Sequence, residues 1–252
     1  MNSLLFIGHP GHELMVYQFL KDYRPDVAFL TTGSGSINEP RMKESVRLVE
    51  SLGLTVRLPF EPLSDRQIYD LILSKDLAFF KGIKKSLKQL IVDQGYDLLA
   101  GDAQEGFNPS HDICRYLING IVEEINPSRK ILNLDFLLDQ LVLIENQPVQ
   151  DGEIRLELNE RERIEKIAAC RVYTPIKSEV DRFIAKYGEG FFGTELLRPV
   201  LNTSILKSWE ESAPHYETHG KNRVSEGIYK STILYDQHVK QIAEMLTGSS
   251  AQ

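Results

Sequence analysis

The chain has 252 residues, 42% hydrophobic and 26% charged, enough length and apolar content to bury a sizeable core in one elaborated globular unit. A net charge of -7 and a pI near 5.5 argue against nucleic acid or an anionic membrane as the main partner, because both attract a basic face. No apolar run approaches the ~18 residues that a membrane span needs. Met1 leads straight into Leu4-Leu5-Phe6-Ile7 without a basic leader or cleavage pattern, and Cys114 and Cys170 form no disulfide framework, so a reducing cytoplasm is the expected setting.

Residues 3–8 predict a short buried strand, too brief and apolar for an amphipathic helix. A helix follows over 13–22, with Leu14, Tyr17 and Leu20 on one apolar face. Residues 26–32 predict a second strand, 33–36 a glycine-serine loop, 39–52 a helix stopping at Gly53, and 55–58 a third strand. This alternation predicts a Rossmann-like α/β fold, a mostly parallel sheet with helices on both faces.

Residues 64–94 read as helix, broken near Lys81-Gly82; 96–100 read as a buried strand, 102–109 as a loop, 111–125 as a helix and 130–134 as a strand. A hairpin is expected over 142–158, turning at Asp151-Gly152. Several helices follow, the last a long one over 224–246, and residues 249–252 are expected to fray. No repeat or composition break divides 1–248, which predicts a single domain.

The chemistry concentrates after two of these strands. Gly8-His9-Pro10-Gly11-His12-Glu13 follows the first, where Pro10 and Gly11 ease a tight turn and two imidazoles can converge on one ion. Gly101 to His111 follows the 96–100 strand, and the carboxyl ends of parallel strands are where ligands bind. His111 would add a third ligand, and three protein ligands with a fourth position open is the pattern of catalytic zinc.

These loops resemble those of the LmbE-like (PIG-L type) N-acetylglucosaminyl deacetylases, zinc-dependent amide hydrolases with a Rossmann-like fold. That family carries H-P-D-D-E after its first strand and H-P-D-H before a later helix. Here the corresponding stretches are His9-Pro10-Gly11-His12-Glu13 and Asn108-Pro109-Ser110-His111. Gly33-Ser34-Gly35 with Arg41 and Glu44 is similar to the family's glycine loop and R-x-x-E helix. The resemblance covers roughly the first half of the chain. It implies that His9, His12 and His111 hold Zn2+ or another divalent metal, with histidine replacing an aspartate ligand at position 12.

Two departures bear on mechanism. Gly11 stands where the family has its general base, and Asn108 replaces the first histidine of H-P-D-H. Three neutral imidazoles would leave the ion's double charge uncompensated and acidify its water more strongly, offsetting the missing base in part. Glu13, Asp102 and Glu105 are the nearest carboxyls in sequence; Glu105 is the preferred acid–base group, and Asp102 could instead orient a metal-binding histidine. Asn108 can donate to a developing oxyanion.

Arg41 either contacts substrate, as the resemblance implies, or pairs with Glu44 on an exposed helix face. The polar run from Pro214 to Gly220, with His215 and His219, and nearby Arg223, reads as a loop; His215 and Arg223 are candidate substrate contacts. Cys114 reads as a buried structural thiol.

The expected activity is therefore zinc-dependent deacetylation of a small N-acetylated amino sugar or related metabolite. The alternative is a sugar- or nucleotide-binding protein that kept the cleft and lost turnover. Self-association is left open. A glycosyltransferase is disfavoured by the lack of an evident second nucleotide-binding domain.

Overall fold

The computed structural model describes residues 1–35, 40–138, 150–203, 209 and 212–248. Strands β1 (Ser3–Ile7), β2 (Asp26–Phe29), β3 (Leu98–Asp102), β4 (Leu132–Phe136), β5 (Ile154–Glu157) and β6 (Thr194–Pro199) form one sheet in the order β2-β1-β3-β4-β6-β5. The first four are parallel, and β6 and β5 close the far edge antiparallel. This is the expected mostly parallel α/β sheet, with both faces of its central strands buried. Leu4 and Phe6 of β1 pack into one core and Leu5 and Ile7 into another, as alternation requires when helices cover both sides.

One core gathers helices α3 (Asp65–Ser74), α4 (Leu77–Gln94), α5 (Pro109–Ile125) and α9 (Lys240–Thr247). Residues of α1 (Tyr17–Tyr23) and α2 (Met42–Ser51) pack into the other, and α6 (Glu160–Val172) and α7 (Lys177–Tyr187) join a smaller cluster beside it. The remaining helix, α8 (His215–Ser225), precedes α9. Strand order reverses between β1, which runs on to β2, and β3, which runs on to β4. That switch point opens a crevice at the strands' carboxyl ends.

Several sequence expectations shift. The 55–58 strand reduces to an isolated bridge between Val56 and Val27. The break between α3 and α4 falls at Lys75-Asp76 rather than Lys81-Gly82: Lys75 takes a left-handed conformation (φ 53°) and Asp76 caps the next helix through the Phe79 N–H. Helix α5 starts two residues earlier than expected because Asn108 accepts from the Ser110 N–H and Pro109 suits the first turn. The partner of β5 is β6, which the sequence reading did not predict; the other arm of the expected hairpin, within 139–149, lies outside the described residues, as do 249–252. The expected helix over 224–246 is interrupted, since Gly227 (φ 73°) ends α8 and the chain becomes helical again at Tyr235.

The expected helix over 13–22 is also divided: His12–Val16 is a tight 3-10 turn, and α1 begins only at Tyr17. A buried ion pair occupies this junction. The Glu195 carboxylate of β6 accepts from the Gln18 and Phe19 N–H groups at 2.8 and 2.9 Å, and Lys166 of α6 donates to it at 2.9 Å and to the Met15 carbonyl at 2.8 Å. Their side chains are 2% and 0% exposed for Lys166 and Glu195. Removing one member of such a pair strands the other charge in the core. Lys166→Ala is expected to cost about 3–5 kcal/mol in denaturant unfolding; a loss under ~1 kcal/mol would show that Glu195 needs only its backbone donors.

Candidate metal centre

The loop after β1 folds back immediately. The His12 N–H donates to the His9 carbonyl, and Gly11 sits at φ 105°, a conformation that glycine adopts without the strain of a β-carbon. The Glu13 carboxylate locks this turn, accepting from the Gly11 N–H at 2.7 Å and from the Ser45 hydroxyl of α2. Ser45 also meets the Tyr173 hydroxyl at 2.8 Å. Glu13 is fully buried, and burial raises its pKa against these hydrogen bonds.

Parallel pairing of Phe6 with Gly101 brings the loop after β3 alongside. Asp102, at the end of β3, spends both carboxylate oxygens on the first loop: one accepts from the Gly8 N–H at 2.7 Å and the other faces His12 Nδ1 at 2.9 Å. Beneath it, the buried guanidinium of Arg115 donates to the Asp102 carbonyl at 2.7 Å. The loop continues to Asn108, and its backbone is pinned by Asp112 of α5, which accepts from the Glu105 and Gly106 N–H groups, both at 3.1 Å.

These two loops bring the rings of His9, His12 and His111 together. Their centroids lie 5.4 Å (His9–His12), 4.8 Å (His9–His111) and 4.5 Å (His12–His111) apart, with interplanar angles of 72° to 88°. Imidazoles bound to one tetrahedral zinc at ~2.0–2.1 Å would have centroids about 5 Å apart. His12 directs Nδ1 to the Asp102 carboxylate, so that in the neutral ring Nε2 carries the lone pair. His9 Nδ1 meets Thr31 Oγ1 at 2.6 Å and lies 3.4 Å from Asp65. Because the Thr31 hydroxyl donates to the Gly8 carbonyl, it accepts from His9, again leaving Nε2 as the acceptor. That nitrogen meets the Asn108 amide at 3.3 Å. The buried His111 Nδ1 has no hydrogen-bond partner.

The three rings differ electrostatically. Burial holds the His9 pKa below the usual imidazole value, and burial together with the charges of its neighbours pushes His111 well below it. Burial works the same way on His12, but the Asp102 charge and hydrogen bond outweigh it and raise its pKa. Among the described residues no three His, Cys, Asp or Glu side chains already stand in coordinating geometry. The rings form a cluster, in which the Asn108 amide engages the acceptor nitrogen of His9.

A cavity of about 350 Å³ opens beside His12 and His111. Glu105 and Arg41 line it. Glu105 accepts from the Leu138 N–H at 2.7 Å, and burial raises its pKa, with the Asp102 charge adding to the effect. Two candidate contacts lie elsewhere. The run from Pro214 is helix α8 rather than a loop; the exposed His215 ring stacks on Phe107 at 4.9 Å, and Phe107, not His215, lines the cavity. Arg223 pairs with Glu226 at 2.9 Å and does not line this cavity. Thr31 and Asp65 also stand beside His9, and neither belongs to the two histidine motifs. Ser64 and Gln67 form a capping box whose spacing marks the start of α3 and would have placed Asp65 at a helix entrance.

No protein-family model matches the sequence, and no curated protein matches it. Solved structures do match. A deacetylase triple mutant involved in the teicoplanin biosynthetic pathway aligns with 80% of this chain and 99% of its own, at TM-score 0.51 and 15% identity. The conserved protein TT1542 from Thermus thermophilus aligns with 82% of this chain and 97% of its own, also at TM-score 0.51 and 15% identity. A deacetylase–teicoplanin complex aligns with 79% and 97% at TM-score 0.51 and 14% identity. The chain has their fold.

Gly8 allows the two loops to meet. A β-carbon there would stand 2.8 Å from Asp102 Oδ2 and 3.3 Å from His111 Cδ2. Gly8→Ala is expected to lose about 1–3 kcal/mol of stability in denaturant unfolding. An unchanged midpoint would mean that the Asp102 contact has slack.

Proposed function

We propose that this chain is a metal-dependent N-deacetylase, a zinc hydrolase that removes acetate from the nitrogen of a small amino sugar or related metabolite. The observation that carries the reading is the meeting of three imidazoles, two from the turn after β1 and one from the first turn of α5, at the sheet's switch point, beside a cavity that holds a carboxyl of raised pKa. The fold shared with deacetylases agrees with this class of reaction.

The donor types suit zinc, although no three of them yet stand in coordinating geometry among the described residues: two imidazoles are oriented through their Nδ1 atoms and the third has a buried Nδ1 without a partner. His9 and His12 would hold the ion through Nε2, together with His111. Bound zinc would supply a Lewis acid that polarises the amide carbonyl and acidifies water. Asp102 fixes the His12 ring and Glu13 fixes the turn that carries it, both as positioning residues. Glu105 takes a proton from water and returns it to the departing amine nitrogen, a task suited to a carboxyl whose pKa burial raises above the usual carboxylate value. With the ion on His9 Nε2, the Asn108 amide N–H group that meets this nitrogen would be released to serve a developing oxyanion, and Arg41 would hold a sugar hydroxyl.

A second reading, binding without turnover, is favoured by Gly11, since no carboxylate stands at that point of the turn and Glu13 is committed to the loop backbone. One assay separates the two. Amine release from a panel of N-acetylated amino sugars is expected to stop with chelator and return with zinc. Glu105→Gln is expected to lower kcat on the order of 10²–10⁴-fold while leaving metal content intact. Tight sugar binding without amine release by the zinc-loaded protein would establish the second reading instead.

A further inference from the structure

The cavity beside the histidines has a mixed lining. Its polar groups include His12, His111, Glu105 and Arg41, and its apolar ones include Ile176, Val180, Phe183, Phe191 and Phe192, from α7 and the turns at its two ends. The aromatic part is ordered. Phe183 and Phe191 stack with centroids 5.2 Å apart and planes 10° apart, and Phe192 meets Phe191 edge-on at 5.0 Å. Phe192 is buried at 4% exposure, whereas Phe183 and Phe191 stay half-buried and face the cavity.

An aromatic surface left partly wet beside a reactive site gains from a ligand that covers it. A pyranose can rest its C–H face on one such ring, but an apolar ring covers the stacked Phe183–Phe191 pair without bringing hydroxyls to its edge that must exchange water for new partners. Among the α7 residues that line the cavity, Glu179 and Arg182 are the charged ones.

We infer that the substrate carries a ring-sized apolar group close to its amide, seated against Phe183 and Phe191. This rests on the deacetylase reading and narrows its substrate class. A cavity of about 350 Å³ lies at the small end of ligand sites, which fits one amino sugar with a single ring. The ring could enter on the acyl side or on the glycosidic side; the shared chemistry is an apolar ring within reach of Phe183.

The test uses three probes with the zinc-supplemented full chain: the methyl β-glycoside of N-acetylglucosamine, its phenyl β-glycoside, and the methyl β-glycoside of N-phenylacetylglucosamine. Binding is read by calorimetry and turnover by amine release. At least one ring-bearing probe is expected to bind ten-fold or more tighter than the methyl glycoside, and its identity tells which side the ring occupies. Phe183→Ala is expected to bring that ratio close to one; because the readout is a ratio within one variant, a change in folded fraction cancels. Equal affinity for all three probes, or a preference that survives both Phe183→Ala and Phe191→Ala, overturns the inference. Amine release without a preference sinks the ring assignment alone. A preference without amine release retains the aromatic lining as a binding site and sinks the deacetylase reading instead.

Discussion

The two oxygens of Asp102 hold together the parts on which the site depends. One fastens the backbone at Gly8, where the first strand ends, and the other fixes the ring of His12, four residues further on. Asp102 itself belongs to a different strand, and its carbonyl is held from below by Arg115. A carboxylate at 1% exposure needs such partners, since an unpaired buried charge is costly. The same contacts that satisfy its charge bring two loops, a hundred residues apart in sequence, to a common point.

The second half of the chain supports this arrangement from the other side. Lys166 and Glu195 grip the junction between the tight turn that starts at His12 and the helix that follows. Tyr173, at the end of α6, reaches Ser45 and through it Glu13. The turn carrying His9 and His12 is thus tied to the sheet by Asp102 and to α6 and β6 by a buried ion pair and a buried hydroxyl chain. Preorganisation of this kind is what a reactive site requires of its scaffold. The aromatic lining comes from α7 and its flanking turns, so the same half of the chain both braces the histidine turn and shapes the cavity.

Much of this could be read from the residues. Short apolar runs such as Leu4 to Ile7 and Leu98 to Ala100 announce buried strands, and the histidines stand in the turn after the first and at the start of the helix after the second. Strand order then does what the sequence cannot state, placing β1 beside β3 so that His111 meets His9 and His12. Long-range partners were hidden for the same reason. Thr31 and Asp65 reach His9 only through the fold, and β6 pairs at an antiparallel edge with no local periodicity to advertise it. Glu13 looked like an acid–base candidate because it follows His12, but its carboxylate is consumed by the turn. Local backbone chemistry decided the remaining differences: Lys75 in a left-handed conformation ends α3, and Gly227 ends α8, where periodicity alone predicted breaks or continuity elsewhere.

The account turns on three imidazoles sharing one cation. Titration of metal-free protein with Co2+, followed by visible absorption, tests this directly. The account predicts one equivalent bound tightly with the intense bands of a four-coordinate site, and loss of those bands in each of His9→Ala, His12→Ala and His111→Ala. Absence of a stoichiometric site in the native chain, or full retention of the bands without His111, would contradict it.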